Sequence, residues 1–427
     1  MHLRGLLADT RPLAVPAFRR LWTANIVTVV GAQLTVVAVP AQIYALTGSS
    51  AYVGLTGVFG LVPLVVFGLW GGALADWMDR RTLLVVTTVG LVVTSGLFWA
   101  QAATGLGNVW ALLALFSVQQ AFFAVNQPTR SAIIPKLIPA ELIPAASSLN
   151  TTVMQGGAIA GPLVGGALIP LVGFSWLYLV DTLTLLATLA AVLSLPPLPA
   201  SGAASAPGIR SVLEGFAYLR RQPVLLMSFV VDLVAMVFGM PRALFPEIAD
   251  VSFGGPGEGG VAFALLFAAI PAGAVLGGVF SGWVSRVARQ GLAVVVAICV
   301  WGAAMAAFGL AVGLAGGSAL PMLPFAVAAL VVGGAADMVS SVFRNAMLLT
   351  AADDAVRGRL QGVFIVVVAG GPRLADVAHG ASAAAVGTAV AAGGGGVLVV
   401  VGTVAAALLV PAFVRHRVPL APPRGRV

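Results

Sequence analysis

The chain has 427 residues, of which 60% are hydrophobic and 8% charged, with a net charge of +8. A soluble globular protein carries about 25% charged residues, so this sequence cannot clothe a water-facing surface and the bilayer must be its solvent. Its basic residues are almost all arginines in short loops between long apolar runs, which makes the charge a topology signal and argues against nucleic acid as a partner.

Residues 1–20 read as a basic tail. Pro12 and Pro16 break it, and no short apolar core precedes a cleavage site, so it does not read as a secretory signal. A helix needs about 20 apolar residues to cross a bilayer. Twelve stretches meet that need, near 21–46, 51–75, 82–103, 108–131, 144–169, 173–195, 223–246, 260–285, 291–315, 320–347, 360–383 and 389–413. The runs are continuous, whereas barrel strands would alternate. Alternate loops hold Arg80 and Arg81, then Arg130 and Lys136, then Arg210, Arg220 and Arg221, then Arg286 and Arg289, then Arg357 and Arg359. The opposite loops are short and nearly uncharged, or acidic as at Glu247, Asp250 and Glu258. The positive-inside rule then predicts an all-α membrane protein of twelve helices with both termini cytoplasmic.

Pro196, Pro197 and Pro199 stop segment six, and residues 196–222 read as a cytoplasmic linker carrying an amphipathic helix over Ile209–Arg221. The linker divides a six-helix bundle at 21–195 from another at 223–413, with a tail at 414–427. The bundles look like weak repeats. Gly72-x-x-x-Asp76-Trp77 is echoed 206 residues later by Gly278-x-x-x-Gly282-Trp283, and Gly161-Pro162 is echoed 210 residues later by Gly371-Pro372. Two pseudo-symmetric halves around a midplane site are a common transporter plan.

The turn after segment two, Gly72-x-Leu74-Ala75-Asp76-x-x-Asp79-Arg80-Arg81, packs acids and arginines between two spans. It resembles the G-x-L-a-D-r-x-G-R-r loop of the major facilitator superfamily. Gly72, Leu74, Asp76, Arg80 and Arg81 match; Trp77 replaces a basic residue and Asp79 a glycine. The resemblance implies a cytoplasmic latch in which Asp76 meets a helix N-terminus of the other half. Segment five holds Gly157-x-x-x-Gly161-Pro162-x-x-Gly165-Gly166, a small-residue face with a proline break. It resembles the fifth-helix signature of antiporters in that superfamily, although generic close packing would use the same residues. Further stretches resemble the enterobactin-exporter and macrolide-efflux-like branch: Pro16–Trp22, Gln127–Pro135, Phe238–Pro246 and Ala268–Gly273.

Charges inside spans cost about 2.5–3.5 kcal/mol each at the helix centre on insertion scales, which makes them functional suspects. They are Asp181 in segment six, Asp232 in seven, Asp337 and Arg344 in ten, and Arg373 and Asp376 in eleven. Arg373 and Asp376 are three apart and can pair on one side. Asp337 and Arg344 are seven apart, nearly on one face. His379, three beyond Asp376, could relay a proton. A structural bridge is the rival reading for Arg373 and Asp376, and a water-facing position near the outer end for Asp181 and Asp232. Asp232, Asp337 and Asp376 rank first as proton carriers. Asn25 and Gln33 on segment one, and Gln119, Gln120 and Asn126 on segment four, would line a cavity, with Phe122 or Phe123 stacking on an aryl group or facing lipid.

With three histidines and one cysteine, the chain has little from which to build a metal centre or a catalytic cluster, and it has no nucleotide-binding loop of the Gly-x-x-x-x-Gly-Lys type. No cofactor, metal or enzyme activity is expected. The resemblance implies an exporter of the bacterial inner membrane, and a monomer is expected. It would exchange a small amphipathic molecule, a siderophore or hydrophobic drug, for protons by alternating access. A proton-coupled nutrient importer and a non-transporting sensor are the other readings.

Overall fold

The computed structural model of the chain describes residues 9–196, 214, 217–319, 321–351 and 354–417. Every regular element among them is helical. The long helices, in chain order, are α1 (Pro16–Thr47), α2 (Ser50–Trp77), α3 (Arg80–Ala103), α4 (Val109–Leu137), α5 (Ile143–Leu193), α6 (Pro223–Gly239), α7 (Val261–Val279), α8 (Gln290–Leu314), α9 (Met322–Ala351), α10 (Asp354–Val386) and α11 (Thr388–Leu409). Ten helices among the described residues are long and apolar enough to cross a membrane. The predicted amphipathic helix of the linker falls mostly outside the described residues.

Local chemistry sets the ends. α1 starts on Pro16, where a missing N–H costs nothing, and stops at Gly48 in the left-handed region (φ 62°). The Asn108 side chain accepts from the N–H groups of Trp110 and Ala111 and starts α4. α5 has 51 residues, which at 1.5 Å per residue would run about 77 Å, far beyond a hydrocarbon core of about 30 Å. It breaks at Gly173 (φ 76°, ψ 170°), a backbone shape that favours glycine. The predicted segments five and six are therefore the two arms of α5.

The chain forms two compact units, residues 1–208 with 255–268, and residues 209–254 with 269–427. In the first, α1 packs most extensively on α5, α2 on α4, and α3 on α4 and α5. The glycine face predicted for segment five is the seam with α1. A Cβ added at Gly157 would strike Val29, one at Gly161 would strike Gln33, and one at Gly165 would press on Leu34 and Val37. Gly166 points elsewhere, against Ala264, and its carbonyl accepts the Gly260 N–H at 2.8 Å. In the second unit α8 packs on α9 and α11, and α6 on α10 and α11. The buried Trp301 indole of α8 lies against Gly239 and donates to the Ala235 carbonyl at 3.3 Å.

This close seam yields a direct test. Gly161→Leu should lower stability by about 1–3 kcal/mol through overpacking, seen as a lower unfolding midpoint in detergent. Gly156→Leu, where an added Cβ meets nothing within 4 Å, should shift it by no more than about 0.5 kcal/mol.

Candidate functional site

The turn between α2 and α3 is built by its acids and arginines. Asp79 caps α3: its Oδ1 accepts from the Thr82 N–H at 2.9 Å and from the Thr82 hydroxyl at 3.1 Å. The residue that departs from the family's glycine therefore supplies an orphan helix N–H with its partner. Arg80 donates to the Ala132 carbonyl at 3.0 Å in the last turns of α4, and Arg81 donates to the Leu193 carbonyl at 2.7 Å, the last residue of α5. Cations at helix C-termini satisfy free carbonyls and complement the dipole. Leu74 is exposed. The side chain of Asp76 lies outside the described residues.

Within the first unit, Asp181 sits at 1% exposure between α1, α3 and the second arm of α5. Its Oδ2 accepts from the Thr35 hydroxyl at 2.7 Å and the Ser95 hydroxyl at 2.9 Å. This excludes the water-facing reading of Asp181. The polar seam runs on through the Tyr178 hydroxyl, which donates to Gln42, and the mutual amide bonds of Gln42 and Gln101. Toward the other end, the Thr28 and Thr188 hydroxyls meet. None of Tyr178, Gln42 and Gln101 was singled out from sequence; polar residues repeating every seven along α1 (Thr28, Thr35, Gln42) were the available signal.

The predicted cavity lining divides. Asn25 is buried and faces a cavity of 160 Å³ between α1, α4 and α5. Asn126 instead donates to Thr87 at 2.8 Å and Thr88 at 3.2 Å, binding α4 to α3. Phe122 is held on Gly90 of α3, where no Cβ intervenes, so it is a packing ring. Gln33 packs on Gly161. Gln119 is buried, Gln120 half-buried and Phe123 exposed.

The second unit gathers the remaining charges into two clusters. In the first, Arg344 of α9 forms an ion pair with Asp232 of α6, and both side chains are almost fully buried. Asp337, two turns back on α9, lies 3.8 Å from the same guanidinium and is one-quarter exposed. Asp232, read from sequence as a water-facing alternative, is thus a buried ion-pair partner. In the second cluster, Arg373 and Asp376 lie 3.9 Å apart on α10, the i to i+3 pair expected. Arg242, just beyond α6, adds its charge to the surroundings of both; it belongs to the Phe238–Pro246 stretch. His379 does not join Asp376. Its Nδ1 lies 3.0 Å from the Ala375 carbonyl and its ring is buried against the Phe238 carbonyl and Gly395, so the predicted relay has no contact here. Among the described residues no three histidine, cysteine or acidic side chains gather into a metal site.

Helices of membrane-crossing length with paired charges inside them define a multi-pass membrane protein, and comparison with solved structures agrees on the fold. A POT family transporter in complex with 5-aminolevulinic acid matches with a TM-score of 0.74 at 13% identity, over 93% of this chain and 96% of that one. A bacterial homologue of the human lysosomal transporter Spinster matches with a TM-score of 0.70 at 15% identity, over 97% and 100%. At the sequence level, an enterobactin exporter, EntS, of Shigella boydii is 29% identical over 354 residues, 82% of this chain and 81% of that protein. An Escherichia coli enterobactin exporter is 28% identical over the same length. The family model described as transmembrane secretion effector matches residues 8–421. The chain belongs to this family of major facilitator transporters.

The buried pair has a stability signature. Asp232→Ala removes the closer partner of a buried guanidinium and leaves it only Asp337 at 3.8 Å; it should cost up to about 3 kcal/mol, whereas Asp232→Leu with Arg344→Met should recover most of that loss. Thermal unfolding of the single and double variants in detergent measures both.

Proposed function

We propose that this protein exports a small amphipathic molecule, a siderophore or a hydrophobic drug, across a bacterial inner membrane in exchange for protons. It would work as a monomer with twelve crossings and both termini in the cytoplasm. Ten apolar helices, with α5 counted as two arms and α10 added, are consistent with twelve crossings. The arginine-rich loops support the orientation. Relatives named enterobactin exporters support outward movement of a siderophore-like substrate.

The observation that carries proton coupling is the charge count around Arg344. One guanidinium faces two carboxylates, Asp232 and Asp337. A bare extra negative charge is expensive inside a bilayer, and one proton on the pair of acids removes it. Asp337 is the better proton carrier because it is more exposed and farther from the guanidinium, while Asp232 holds Arg344 in place. The cluster at Asp376 has the opposite balance: Arg242 and Arg373 face one carboxylate. With two cations against it, Asp376 is better read as part of a structural bridge. Asp181 remains a second buried acid, held by hydroxyls within one bundle. Transport by alternating access follows if Arg344 is shared between both acids in one state and left to Asp232 when Asp337 is protonated.

Everted membrane vesicles from an expressing strain test this reading, with enterobactin and a fluorescent hydrophobic dye as probes. The expected result is accumulation of at least one probe, driven by an acid interior and abolished by a protonophore. Accumulation that survives collapse of the proton gradient contradicts the coupling, and accumulation in right-side-out vesicles alone contradicts export.

A further inference from the structure

The cavity beside Asn25 is not explained by the charge clusters of the second unit. It lies wholly within the first unit, walled by the first turns of α1, the last turns of α4 and the start of the first arm of α5. Trp22, Asn25, Gln127, Arg130, Asn150 and Met154 are among its walls, and no carboxylate lines it. Arg130 is the charge in the Gln127–Pro135 motif. Its Nη2 reaches the Leu21 carbonyl only at 3.5 Å, the limit of a hydrogen bond. It has no carboxylate partner among the described residues. The neighbouring Trp22 Nε1–H is buried and also lacks a hydrogen-bond partner among them.

Arg80, Arg81 and Lys136 have acceptors or other partners of their own, whereas Arg130 lines the void with its Nη2 only at the limit of a hydrogen bond to Leu21. The Arg130 guanidinium with the amides of Asn25, Gln127 and Asn150 around it forms a donor-rich, acid-free pocket, the arrangement that selects an anion. The aromatic face of Trp22 suits a planar group. At 160 Å³ the void is smaller than the roughly 300 Å³ from which drug-sized pockets start, so it takes one ring and its acid group, not a whole substrate. It lies at the same end of the helices as the Arg80–Arg81 turn, the end the loop charges assign to the cytoplasm.

We infer that this cavity is an anion-selecting subsite that receives one planar acidic group, an aryl carboxylate or similar ring acid, of the exported molecule as it arrives from the cytoplasm. The inference rests on the export reading for the origin of that molecule, but not for the chemistry of the pocket.

Equilibrium binding to the purified full-length protein in lipid nanodiscs tests it without any transport step, so a failure of the vesicle experiment leaves this result standing. Benzoate and its neutral analogue benzamide are the probes, followed by isothermal calorimetry. The wild type should bind benzoate at least tenfold more tightly than benzamide. Arg130→Gln should weaken benzoate at least tenfold and leave benzamide unchanged, while Arg130→Lys should retain part of the preference. Equal affinity for the two probes in the wild type overturns the proposal even if Arg130→Gln fails to fold. Nanodiscs of phosphatidylcholine alone and with phosphatidylglycerol separate the sources of the anion. Equal benzoate binding in both supports a substrate subsite. Loss of benzoate binding on adding phosphatidylglycerol assigns the pocket to a lipid headgroup and overturns the substrate role.

Discussion

Arg344 and its two carboxylates set the terms for the second unit. In hydrocarbon a buried charge must be paired or neutralised. Arg344 meets Asp232 across two helices and Asp337 along its own, so the position of α6 against α9 is tied to the charge state of one small cluster. A proton added to or taken from that cluster changes how the guanidinium is shared. In the proposed exchange this would be the physical route from proton binding to helix movement.

The first unit solves the same constraint without net charge balance. Asp181 leans on the hydroxyls of Thr35 and Ser95, and the amides of Gln42 and Gln101 satisfy one another. These bonds lie on helices already brought close by glycines facing α1 at Gly157, Gly161 and Gly165. Small residues supply the proximity and polar pairs fix the register, as expected where lipid provides no hydrophobic drive between helices. The Asp79 cap and the arginine contacts to Ala132 and Leu193 complete the helix ends at the charged turn.

The helices were legible in the sequence because bilayer thickness writes itself into the length of each apolar run, and the break at Gly173 was legible as a boundary between two runs. Partners on one helix were legible too: spacings of three and seven residues placed Arg373 near Asp376 and Asp337 near Arg344. Partners across helices were not. The Asp232–Arg344 pair depends on which faces of α6 and α9 meet, and periodicity is silent on that in a chain apolar all round. The same blindness misplaced Asn126 and Phe122. Both sit on α4 in polar or aromatic company that suggested a cavity, yet Thr87, Thr88 and the bare backbone at Gly90 draw them toward α3. Asp79 read as a departure from a family pattern, although an acid three residues before Thr82 is also a capping signal. Arg242 falls inside the predicted seventh segment, 223–246, but within the Phe238–Pro246 motif it reads as part of a resemblance and not as a buried charge; the structure ends the helix before it, at Gly239.

The central claim is that the Arg344 cluster holds one exchangeable proton, carried by Asp337. Infrared difference spectroscopy of the lipid-reconstituted protein between acid and neutral pH observes protonated carboxyl groups directly. The account predicts a carboxylic C=O band that disappears in Asp337→Asn and persists in Asp376→Asn. A band that survives Asp337→Asn unchanged, or one that vanishes only with Asp376→Asn, would contradict it.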